Sequence, residues 1–115
     1  MEFDTLTVSL FEAILNTTPL DERESDALQD AHMAYLAVLH ETGKLQAAGP
    51  ILGPNERTFR GLCIHRLPLE EVRALFEKDP LVRAGRLSVR VFTWSVPSGA
   101  LSFSLTRFPH SQAEV

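Results

Sequence analysis

The chain begins with a clean alternation: Leu6, Val8 and Leu10 occupy one set of positions and Thr5, Thr7 and Ser9 the other, which predicts a two-faced strand over Phe3 to Phe11. A loop from Asn16 to Leu20 follows. Asp21, with Glu24 three residues on, is a capping box and predicts a helix to about Thr42, closed by Gly43. Leu28, Tyr35, Leu36 and Leu39 form the apolar stripe of that helix, and His32 falls in the middle of it. Lys44 to Ala48 predicts a second strand, ended by Gly49-Pro50 and the turn-rich connection ILGPNE. Arg57 to Arg66 alternates again, with Leu62 and Ile64 against Phe59, Gly61, Cys63 and His65. From Pro68 to Lys78, a proline near the start, Glu70 and Glu71 in the first turn and Leu69, Val72, Leu75 and Phe76 at helical spacing predict a second helix. Asp79-Pro80 interrupts it, Gly85 ends a short turn, and Arg86 to Val96 predicts a fourth strand with Leu87, Val89 and Val91 on one face. Beyond it, Leu101, Phe103 and Leu105 alternate weakly, so residues 102–115 are expected to add a short extra strand and a flexible tail.

The order β-α-β-β-α-β is that of an α+β, ferredoxin-like domain: a four-stranded antiparallel sheet with both helices on one face. Alternation assigns Thr5, Thr7, Ser9, Phe59, Cys63, His65, Ser88, Arg90, Phe92 and Trp94 to the uncovered face. Three aromatic rings together in water would form a large apolar patch. A second copy of the chain, packed sheet face to sheet face, is the expected cover.

Composition narrows the function. At 115 residues, 44% hydrophobic and 23% charged, the chain suits one domain with one core. A net charge of -4 argues against a nucleic-acid partner, whose phosphates need a basic surface. No long apolar run predicts a membrane span, and the acidic start MEFDTLTV is unlike a signal peptide, so a cytoplasmic location is expected. The single cysteine, Cys63, excludes an intrachain disulfide and a multi-cysteine metal site, and the histidines lack metal-binding spacing. No P-loop, G-x-G-x-x-G or G-x-S-x-G motif is present. Neither a metal nor a cofactor is expected.

The strings LQDAHMAYLAVLHETGKLQAAGP, RGLCIHRLPLEEVRALFEKDPLVRAGRLSVRVFTW and VPSGAL together resemble the YciI-like family, also called the YCII-related domain, over roughly Phe3 to Leu101. The resemblance implies a domain spanning 1–101 that pairs into a dimeric α+β barrel. It implies a His and Asp pair at the active site, here His32 and Asp79. It further implies acid/base handling of small organic molecules, as elimination or isomerisation; the alternative is a non-catalytic binding or interaction module with a structural His-Asp hydrogen bond.

Each candidate also has a plain structural explanation. His32 could be a core histidine bonded for structure, and Asp79 before Pro80 has the form of an N-cap for the turn to Ala84. One carboxylate oxygen can cap while the other faces an imidazole. Tyr35, one turn from His32, would bring a hydroxyl to the cleft or simply pack. Gly49 and Pro50 would line the pocket mouth or merely end a strand. Arg90 would hold an anionic substrate or pair with an acid across a dimer. The expected ligand is a small molecule bound between the helix layer and the Gly49-Pro50 turn.

Overall fold

The computed structural model of the chain describes residues 1–53 and 59–115, the side chain of Phe59 excepted. The start of the third strand at Arg57 and Thr58, the end of the ILGPNE connection and the expected placing of the Phe59 ring lie outside the described residues. The elements run β1 (Phe3–Ala13), α1 (Glu22–Glu41), β2 (Ala47–Pro50), β3 (Phe59–His65), α2 (Leu69–Phe76), α3 (Pro80–Arg83) and β4 (Leu87–Pro97). The strands form one antiparallel sheet in the order β2-β3-β1-β4, the ferredoxin-like arrangement.

Local chemistry sets the helix ends. Asp21 caps α1, its Oδ1 accepting the Glu24 amide at 2.7 Å. At the other end Gly43, at φ 79°, lets the Lys44 amide reach Leu39 O and its own amide reach His40 O, a Schellman closure. The chain is still completing that closure at Lys44 and Leu45, so β2 starts at Ala47 rather than at the expected Lys44.

Facing pairs across the strands assign the two sheet faces, and they correct the expectation for β1 and β3. Thr7 pairs with His65 and Thr93, Ser9 with Cys63 and Val91, and Phe11 with Gly61 and Val89. These residues share the face beneath the helices, where Phe11, Leu39, Leu45, Cys63, Val72, Phe76 and Leu87 make the core. Thr7, Ser9, Cys63 and His65 are therefore buried, not on the uncovered face. Leu6, Val8, Leu10, Leu62 and Ile64 take that other face, together with Ser88, Arg90, Phe92 and Trp94, whose expected side was the observed one.

The core tolerates these polar groups because each has a partner. Thr7 Oγ1 donates to Leu67 O at 2.6 Å. His65 Nδ1 donates to Lys44 O at 2.9 Å, which leaves Nε2 to accept from the Ser9 hydroxyl at 2.8 Å. Burial pulls the His65 ring below its ordinary value, opposed by its bond to Lys44, so the neutral tautomer fits both contacts. Burial likewise pushes the Cys63 thiol up to about 12, with a Ser9 hydrogen bond pulling it down and the Asp79 charge pushing it further up.

The last segment is not an extra strand. Residues 98–111 run without regular structure and end in a single 3-10 turn at Gln112–Glu114. From Thr106 on, the chain lies along α1: Gln112 donates to Asp30, His110 meets Glu41 at 2.6 Å, and His40 Nε2 lies 2.8 Å from Thr106 O.

Candidate functional site

His32 sits near the middle of α1, and Asp79 stands at the turn that opens α3, packed against α1. The two are 47 residues apart in sequence, yet His32 Nδ1 lies 2.6 Å from Asp79 Oδ2, with the carboxylate fully buried. Asp79 is also the N-cap: its Oδ1 accepts the Leu81 amide at 2.9 Å and the Val82 amide at 3.3 Å. Three donors thus converge on one carboxylate, which fixes the acid firmly and through it the imidazole. Phe11 supports the ring from below, edge-on at a centroid distance of 5.2 Å.

A carboxylate accepts from Nδ1–H, which leaves the lone pair of the neutral ring on Nε2. Among the described residues nothing hydrogen-bonds Nε2. His32, 7% exposed, lines a cavity of about 860 Å³ that opens to solvent along α1 and β2. An oriented imidazole at such a wall can take or give one proton.

The other candidates divide. Gly49 and Pro50 line this cavity. Tyr35 does not contribute its hydroxyl, which donates to Leu75 O at 2.5 Å and ties α1 to α2; burial first and the Asp79 charge second raise its phenol above the ordinary value. Arg90 lies on the uncovered sheet face, away from the cavity lining, against Glu12 of the same chain. The two side chains form an ion pair.

Sequence reasoning missed part of the lining. Phe11 was hidden at the end of an alternating strand, and Phe108, Pro109 and Gln112 fall in a segment with no periodic pattern. Among the described residues, no group of three or more His, Cys, Asp or Glu side chains is placed to hold a metal ion, and no helix is long and apolar enough to cross a membrane.

A family model described as the YCII-related domain matches residues 10–95. Among solved structures, the chain is similar to 5-chloro-2-hydroxyhydroquinone dehydrochlorinase from Burkholderia phenoliruptrix AC1100 in complex with 2,5-dihydroxybenzoquinone. The two are 26% identical, with a TM-score of 0.57, over 77% of this chain and 92% of that one. A dimeric protein of unknown function and ferredoxin-like fold from Bacteroides fragilis NCTC 9343 matches at 14% identity and a TM-score of 0.47, over 80% of this chain and 95% of that one. No curated protein matches the chain.

Proposed function

Because the chain belongs to the family of the YCII-related domain, we propose that it is an acid/base enzyme for a small organic molecule, with His32 as the base and Asp79 as the group that orients it. The observation that carries this reading is an imidazole bonded through Nδ1 to a buried carboxylate while its ring lines an open cavity. In the proposed step Nε2 takes a proton from a C–H or O–H of the substrate. The freed electron pair moves into a new double bond, and either a leaving group departs with its own pair or the proton returns at another atom. The first route is elimination and the second isomerisation. Asp79 stabilises the imidazolium formed in between.

Two further observations support the choice. Cys63 is buried with its thiol pushed up to about 12, which makes it a poor nucleophile and argues against a covalent route. The Burkholderia relative is named a dehydrochlorinase and holds a small quinone, which favours elimination from a compact oxygenated ring. The cap that Asp79 provides to α3 favours a second reading, in which the pair is structural and the chain only binds its ligand.

His32→Ala decides between them. We expect a folded protein that still binds small hydroxylated quinones weakly but converts none; loss of folding would assign the pair to structure. Thermal shift against such quinones finds the working substrate first.

Assembly is part of the proposal. Leu62, Phe92 and Trp94 are 40%, 47% and 41% exposed on the uncovered face, with Val8 and Leu10 between them by register. A second copy seated there would remove this surface from water. Trp94→Asp is expected to halve the mass in solution, and an unchanged mass would exclude this interface.

A further inference from the structure

We propose that the segment from Thr106 to Gln112 is the specificity wall of the His32 cavity: Phe108 and Pro109 set the size of molecule admitted beside the imidazole. The inference rests on reading His32 as the site, and it concerns residues beyond the stretch that the family model matches.

Position is the first support. Phe108, Pro109 and Gln112 line the same cavity as His32, Met33 and Leu36, so one side of the chamber comes from the end of the chain. Attachment is the second. A wall that selects by size must resist being pushed aside, and this one is held at several points along α1. The His40 ring lies between two carbonyls, with Nδ1 at 2.7 Å from Leu45 O and Nε2 at 2.8 Å from Thr106 O. Phe108 stacks on that ring at a centroid distance of 3.8 Å and an interplanar angle of 8°. Beyond it His110 Nε2 contacts Glu41 Oε1 at 2.6 Å, and the Gln112 amide donates to Asp30 Oδ1 at 2.8 Å.

Chemistry is the third support. The Gln112 side-chain nitrogen donates to Asp30 Oδ1 at 3.1 Å and to Asp26 O at 3.4 Å, which fixes the orientation of its amide and leaves Oε1 as an acceptor. Phe108 and Pro109 are rigid and apolar, and Phe11, Leu81 and Leu87 also line the cavity. The chamber therefore suits a compact molecule with an apolar body and one proton-bearing polar edge, and it penalises bulk on the side of the chain end.

The test is a series of probes graded in size: 2,5-dihydroxybenzoquinone and its 3,6-dialkyl derivatives of rising length, titrated calorimetrically into the full-length wild type, Phe108→Ala, Phe108→Leu and His32→Ala. One misfitting methylene group discriminates by about tenfold or more in a shaped apolar pocket. Wild type should lose about that much per step of length, Phe108→Ala should flatten the series, and Phe108→Leu should fall between. His32→Ala should weaken every member alike. A second arm needs no ligand: the rate of His32 carbethoxylation by diethyl pyrocarbonate, read by peptide mass, should rise several-fold in Phe108→Ala and less in Phe108→Leu. Unchanged size ranking together with an unchanged rate in both variants overturns the wall and leaves the reading of His32 standing. If no probe binds wild type, the reading of the substrate fails instead, and the carbethoxylation rates alone decide the wall.

Discussion

Two of the buried histidines, His65 and His32, differ in how far their ring nitrogens are engaged. His65 is 0% exposed, with one nitrogen on Lys44 O and the other on the Ser9 hydroxyl. Both of its bonding positions are committed inside the core, and it is not part of the lining of the His32 cavity. His32 is almost as deeply set, yet among the described residues only Nδ1 is engaged, by a carboxylate, and its ring lines an open chamber. Burial alone does not distinguish them. What does is whether the second nitrogen already has a partner.

The strongest way to break this contrast is through Asp79. Asp79→Ala removes the partner of His32 and the cap of α3 together, and we expect a loss of about 3 kcal/mol or more in urea unfolding. Asp79→Asn keeps a cap acceptor and should recover part of that stability while losing turnover. If Asp79→Ala proves neutral, the open site is not held as described. Next comes His65→Ala, which takes away the ring's bonds to the buried Ser9 hydroxyl and to Lys44 O and opens a void. It should cost about 2–3 kcal/mol, with quinone binding per folded molecule unchanged. Weakened binding at full stability would erase the distinction.

The smallest effect sharpens the contrast by pH. The folded value of His65 is lowered, so above about pH 6.5 both folded and unfolded chains carry a neutral ring and this group contributes nothing. As the pH falls from about 6.5 towards the lowered folded value, only the unfolded chain takes up the proton. Stability then decreases with falling pH by up to about 1.4 kcal/mol per unit. His65→Gln should show a shallower slope than wild type in that window, and equal slopes would mean that another group controls it.

Much of this architecture was readable in the residues, and the failures have physical causes. The helices α1 and α2, the caps of α1 and the order of elements along the chain followed from period, from Asp21 and Gly43, and from the alternating segments between them. Alternation, however, gives the period of a strand but not which set faces inward. In β1 and β3 Thr7, Ser9 and His65 lie beneath the helices, where each finds a hydrogen bond, while the aliphatic side chains of Val8 and Leu10 are left on the uncovered face. Phe11, in the same set as Thr7 and Ser9, was the clue to the true orientation. Nothing in local spacing links His32 to Asp79; family resemblance supplied that link. At the end of the chain the weak alternation of Leu101, Phe103 and Leu105 misled, because no strand forms there and the last residues are held by single bonds to α1 rather than by a repeating face.

The double duty of Asp79 gives the site its own spectroscopic gauge. The amides of Leu81 and Val82 point at the carboxylate whose other oxygen holds the imidazole, so a change of charge on the ring alters the field at both protons. Their nitrogen-15 resonances should therefore follow the protonation of His32 and the arrival of a ligand, residue by residue, before any product can be assayed.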